Sequence, residues 1–195
     1  MSTLSTLFMQ RYTPLTEFYL AGFWQVVTPA QMRQRPHPRL NSIAWNLWHI
    51  ARVEDAGLNR FVMHQAQVLD SADWMAQMNL PWRHHGGEMT LAEVDELNTR
   101  IDLAALHRYM QAVHDCTRAV VATIDQSTLL QPLDLAFIRQ VVVDEGLVLR
   151  NPDGFVTNYA SWDRGKCLMT FGLTHPFQHL GEMETIASML DIVWE

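Results

Sequence analysis

Long stretches of apolar side chains at helical spacing, almost no strand-like alternation and several capping signals predict an all-α protein. The chain reads as a single domain over residues 1–195, built as a bundle of three or four long helices. A chain of 195 residues buries roughly 70% of its unfolded surface, so its core needs no disulfide or structural metal. Apolar residues make up 48% of the chain and charged residues 18%. That balance suits a folded protein and excludes a disordered one.

Residues 4–27 carry the first helical pattern, through Leu4, Leu7, Phe8, Tyr12, Leu15, Tyr19, Phe23 and Val26. Pro14 predicts a break there. Thr13 would be the N-cap and Pro14 the first helical residue, with residues 4–12 a separate turn or short helix. Residues 28–40 hold three prolines and three arginines and read as a loop. Asn41 caps a second helix over about residues 42–68, apolar on most sides near its start, as a deeply buried helix would be. Residues 70–89 are irregular, with Pro81, His84-His85 and Gly86-Gly87.

Thr90 and Glu93 form a capping box. The apolar period that follows, from Leu91 to Ile124, implies a third helix roughly 50 Å long. A small compact domain accommodates that length only with a bend or a break. Residues 126–160 are mixed. Residues 135–143 suit a short helix or a strand, and Asn151-Pro152-Asp153-Gly154 reads as a turn. Asp163 caps a last helix that runs to about Leu190. Pro176 removes its bond to Gly172 and kinks this helix, unless the helix begins at Thr174.

The net charge of −7 repels phosphate backbones and argues against nucleic-acid partners. It equally argues against basic anchoring to a membrane. No window holds 18 uninterrupted apolar residues, so no membrane-spanning helix is expected. The first residues lack a basic segment followed by an apolar run, so no signal peptide is expected and the cytoplasm is the default compartment. Cys116 and Cys167 make no disulfide framework, and Cys116 reads as a core thiol. There is no G-x-S-x-G, Walker loop, dinucleotide fingerprint or H-E-x-x-H.

Chemistry is concentrated in the histidines. His175 and His179 lie four apart, so one helix face carries both imidazoles and can present them to one metal ion. Glu182 falls on the same face, as an outer carboxylate or a general base, and Gly181 lets a neighbouring helix or a ligand come close. Spacing alone leaves open two ordinary hydrogen-bonded helix histidines. His49 lies deep in an apolar run, where it must find a polar partner or lose roughly 1–3 kcal/mol. As a third ligand it would be satisfied. Three imidazoles from two facing helices leave an open coordination position, as in catalytic zinc sites.

The other candidates read more plainly. His107 and His114 share a face among charged neighbours and suit a solvated surface, and His84-His85 lies in an exposed Gly-rich loop. His37 and His64 have no evident partner. Glu54 or Asp55 could orient a ligand or accept a proton, or pair with Arg52 or Arg60 at the surface. Trp45, Trp48 and Trp162 could wall an apolar pocket, with core packing the better reading for Trp48. Arg33, Arg35, Arg39, Arg164 and Lys166 could hold the carboxylates of a small thiol, or be solvated loop charge. The run from Trp162 to Lys166 leads directly into the last helix.

The stretches NSIAWNLWHIARVEDAG (residues 41–57) and LTHPFQHLGEMETIASML (residues 173–190) resemble the DinB/YfiT-like superfamily. In that family a histidine of helix 2 and an H-x-x-x-H pair of helix 4 bind one divalent metal inside a four-helix bundle. The resemblance implies His49, His175 and His179 as metal ligands. It also implies an up-down-down-up course with one long crossover between helices 2 and 3, which residues 70–89 fit. Zinc or nickel would be the first choice of ion for imidazole ligands. Family members include S-transferases that use bacillithiol or mycothiol, related isomerases and domains of ergothioneine synthesis, and they often pair through bundle faces. The expected protein is therefore a metal-dependent transferase or hydrolase, with a low-molecular-weight thiol or other small molecule as partner and a homodimer as its assembly. The alternatives are a non-catalytic metal-binding or ligand-sensing module, and a structural metal closed by a fourth ligand such as Glu182.

Overall fold

The computed structural model describes residues 3–193, and no strand occurs among them. Four long helical rods cover residues 3–26, 43–62, 91–123 and 164–189, with shorter helical pieces between them. No described helix is long and apolar enough to cross a membrane.

Pro14 does not break the first rod. Thr3–Pro14 runs into a π-helical stretch, Leu15–Leu20, and on through Ala21–Val26. Proline lacks an N–H and crowds the preceding turn, yet the rod continues past it through the π stretch. A π turn also adjoins Pro176, on its N-terminal side. Asp163 caps Arg164–Met169, its Oδ1 accepting the Lys166 N–H at 2.7 Å. A π turn, Thr170–Thr174, then leads into His175–Met189. The last helix is thus continuous through the proline and does not start at Thr174.

Ser42, not Asn41, caps the second rod. Its Oγ accepts the Trp45 N–H at 3.0 Å. The rod comprises Ile43–Asp55 and a π segment, Ala56–Val62, so it stops short of residue 68. The third rod has the expected capping box and breaks at Ile101, where Asp102 caps a fresh helix, Leu103–Thr123. Two expected loops carry short helices. Thr28 caps Pro29–Arg33, and Asn151 caps Pro152–Tyr159, so the Asn-Pro-Asp-Gly run opens a helix where a turn was expected. Residues 135–144 are helical, not a strand.

The second rod packs against the third and fourth and carries the buried polar network. Arg52 and Asp55 pair at 3.3 Å with no exposure on either side chain. Tyr109 donates to Asp55 at 2.7 Å, and Asp55 also accepts the backbone N–H groups of Val68 and Leu69. Glu54 accepts from the Tyr12 hydroxyl and, at 2.6 Å, from Thr117. His114 is buried with its Nε2 3.9 Å from Glu54 Oε2. His114 was expected on a solvated face, and Glu54 and Asp55 either beside a ligand or paired with Arg52 or Arg60 at the surface; Asp55 does pair with Arg52, but in the core, because the rod is enclosed on all sides. Burial pushes the Glu54 carboxyl up to about 7 and the His114 imidazole down to about 4.

Glu54 therefore favours the neutral acid when folded. That contribution is full below the unfolded value of 4.5 and is lost as pH rises through about 7. Glu54→Gln keeps the acceptor and cannot ionise. It should stay near wild type in stability at pH 5 and exceed it by up to roughly 3 kcal/mol at pH 8.5. Urea unfolding at the two pH values reads the difference; a deficit at the higher pH would contradict it.

Candidate metal centre

Three imidazoles converge where the second and fourth rods face each other. His49 Nε2 and His175 Nε2 are 3.0 Å apart. One ring nitrogen from each of His49, His175 and His179 falls within 4.8 Å of the others. The helix His175–Met189 holds its pair as the four-residue spacing requires, with ring centroids 4.5 Å apart.

Two of the three rings are oriented from outside. His49 Nδ1–H donates to the His85 carbonyl, which leaves Nε2 with its lone pair. His179 Nδ1–H donates to Asn46 Oδ1 at 2.7 Å, with Glu182 Oε2 3.3 Å from the same nitrogen. Asn46 is itself held, its Nδ2 donating to the Ser42 carbonyl at 3.0 Å. Trp45 stacks on the His49 ring at 4.5 Å and meets His179 edge-on. His175 Nδ1 is buried without a partner among the described residues.

Burial and the neighbouring imidazoles hold His49 well below the usual histidine range. Burial, reinforced by His179 and His85, takes His175 down to about 3. Both are neutral bases at physiological pH, the form in which imidazole binds a metal. Tetrahedral zinc, with Zn–N bonds of ~2.0–2.1 Å, places two nitrogens roughly 3.3 Å apart; the His49–His175 pair stands at 3.0 Å, and all three ligand nitrogens lie within 4.8 Å of one another. The donor set fits a divalent cation.

The centre does not lie in a sealed core. A cavity of about 270 Å³ is bounded by His49 and His175 and continues between Phe61, Phe155, Trp162 and Phe171. Of the pocket residues expected from sequence, Trp162 lines this cavity, and Trp45 packs behind the imidazoles. Arg164 and Lys166 do not line it. The Arg164 guanidinium lies 3.2 Å from His64 Nε2, and the Lys166 ammonium lies 4.4 Å over the Trp162 ring. Arg33 and Arg35 are engaged elsewhere, by the Ile101 carbonyl at 2.7 Å and by Asp95 at 2.8 Å. Gly181 faces open space, so no neighbour makes the close approach expected there. Trp48 is core, as preferred. Cys116 is only half-buried, with its Sγ 3.2 Å from Asn59 Oδ1.

Two neighbours of the cluster escaped the sequence reading. His85 was expected to be exposed but is buried against His49, its loop pinned by a bond from its N–H to the Leu147 carbonyl. Asn46 carried a usable signal: an amide one turn before His49 in an apolar helix needs a partner, and the H-x-x-x-H pair offers one.

The model of the DinB superfamily matches residues 16–183 of the chain. The chain belongs to that superfamily. This DinB-superfamily chain also superposes on the crystal structure of a conserved protein from Enterococcus faecalis, with a TM-score of 0.67 over 98% of each chain. The two sequences are 18% identical, so this likeness shows the fold alone. No curated protein matches the chain.

Wild-type protein incubated with zinc should hold about one ion per chain by elemental analysis, and His49→Ala and His175→Ala should each lose it. Asn46→Ala removes only the acceptor behind His179. It should weaken zinc about 10–100-fold in a chelator competition with the helical circular dichroism unchanged. Full occupancy in both histidine variants would place the ion elsewhere.

Proposed function

We propose that this chain is a metal-dependent enzyme acting on a small molecule, by hydrolysis or by transfer of a low-molecular-weight thiol. The observation that carries this reading is that His49 and His175 form part of a cavity wall. A structural staple needs its last coordination position closed by protein. Glu182, the carboxylate beside the cluster, instead engages the outer nitrogen of His179.

A divalent ion, zinc or nickel first, would be held by His49, His175 and His179. When bound it would supply Lewis acidity, lowering the pKa of a coordinated water or thiol. The chain's own residues do the rest. The His85 carbonyl and Asn46 fix the tautomers of His49 and His179, so that Nε2 of each stays a lone-pair donor. Burial opposes charge on Glu182, but hydrogen bonds from His179 and Asn46 hold its carboxyl below the usual range. An ionised carboxylate there makes the His179 imidazole a stronger donor. The aromatic walls give the cavity a surface of low polarity, which strengthens charge interactions beside it.

We also read the four rods as an up-down-down-up bundle, with residues 63–90 as the long crossover. The length of that stretch, and its tie to Asp55 through the Val68 and Leu69 N–H groups, support the reading.

The test is turnover of zinc- or nickel-loaded protein against two panels: thiols paired with electrophiles, and activated esters and amides. Activity should vanish on chelation, return with metal and be absent in His49→Ala. Glu182→Gln should lower kcat about tenfold while the ion stays bound. One tightly held ion with no turnover on either panel would instead favour a binding module.

A further inference from the structure

The cavity beside the imidazole cluster has a one-sided chemistry. Its walls come from the rings of Phe61, Phe155, Tyr159, Trp162 and Phe171, with Val53, Ala56 and Leu147 between them. No lining residue is Asp, Glu, Lys or Arg. A permanent charge carried against these walls would lose its water and meet no opposite charge. An apolar cavity of roughly 150 Å³ takes one benzene. The volume here, about 270 Å³, takes one ring with a short substituent.

Besides the metal-site histidines, the polar lining residues are His85, Asn158 and Thr170, and the proton of His85 is fixed by geometry. Gly87 N–H donates to His85 Nδ1 at 3.0 Å. The neutral ring therefore carries its proton on Nε2, and no described residue accepts it. Gly87 permits this approach, since a Cβ there would stand 2.9 Å from His85 Cε1 and 3.1 Å from Nδ1. Gly86 has a φ of +86°, and a Cβ on it would strike the Trp48 ring at 2.3 Å. The loop is thus built to hold one ring in one orientation. The His85 carbonyl also receives the His49 Nδ1–H, so the donor and the cluster are positioned by the same residue.

We propose that the cavity takes a neutral, single-ring apolar molecule with one reactive head group, a thiol or a hydrolysable carbonyl, and that His85 donates its Nε2–H to that head group. The proposal rests on reading the histidine cluster as an open metal centre, and it narrows the substrate class of that centre. A multiply charged thiol finds no opposite charge in these walls. Arg164 and Lys166, the nearest basic residues in sequence to the metal helix, are turned to His64 and Trp162.

The probes are 2-phenylethanethiol and mercaptosuccinate, one neutral and aromatic, the other a dianion. Both are titrated into cobalt-loaded protein, followed by the sulfur-to-cobalt absorption. They are also titrated into metal-free protein, followed by the part of the tryptophan fluorescence change that Trp162→Phe abolishes. Phenylethanethiol should bind at least about tenfold more tightly in both forms. His85→Phe should weaken it about tenfold in the cobalt form with cobalt content unchanged, and His85→Gln, which keeps a donor, should retain most of the affinity. Equal affinity for the two thiols, or no Trp162-dependent signal without metal, overturns the substrate class. Unchanged affinity in His85→Phe overturns the donor assignment. If wild type takes up no cobalt, the metal-centre reading falls separately, and the metal-free titration still decides the substrate class.

Discussion

Helix 43–62 has almost no solvent face, and the arrangement of the other elements follows from that constraint. Every residue from Ile43 to Asn59 is buried. Apolar burial drives such a helix inward but does not say which neighbour lies on which side, because the hydrophobic effect has no direction. Its polar side chains do. Asn46 reaches His179 of the last rod; His49 and Arg52 reach the carbonyls of His85 and Arg83; Glu54 reaches Tyr12 and Thr117; Asp55 reaches Tyr109. Orphaning any one buried partner costs roughly 1–3 kcal/mol. A slip of one residue in this helix would orphan several together, so the polar set fixes a register that the apolar set leaves loose.

This division explains what was legible in the sequence. The existence of the rods was legible, because the period of apolar residues is a direct record of burial on a helix. The caps at Thr90 and Asp163 were legible, because the capping hydrogen bond is local. The pairing of His175 with His179 was legible for the same reason, and its link to His49 came through family resemblance. The positions of His85 and His114 were not. A Gly-Gly loop looks solvated until Trp48 and Leu147 close over it, and a charged helix face looks solvated until Tyr12 and Glu54 arrive from other helices. Both depend on contacts between residues far apart in the chain, which no local pattern encodes.

The prolines misled for a different reason. A proline forbids one hydrogen bond and one close contact, and the sequence reader translates that into an end or a kink. The protein widens the helix by one residue at Leu15–Leu20 and at Thr170–Thr174 and continues. The second of these turns is the stretch of helix immediately before His175. It changes the angular relation between the segment that begins at Arg164 and the face that carries the imidazoles. This is consistent with Arg164 and Lys166, although only a few turns away in sequence, pointing elsewhere than the cavity.

The distance along the chain between His49 and His175 sets an order of events during biosynthesis. They are separated by 126 residues, and at translation rates of ~5–20 residues per second several seconds pass between their emergence. During that interval His49 is the one member of the cluster the nascent chain offers, and one imidazole of a three-imidazole site holds no ion firmly. Metal capture would come after the last rod docks, not before it. An ion then held would clasp the ends of a very long loop, whose closure entropy grows only slowly with length. Its loss would leave that closure to the apolar contacts that Leu180, Met183 and Ile186 make with the central helix.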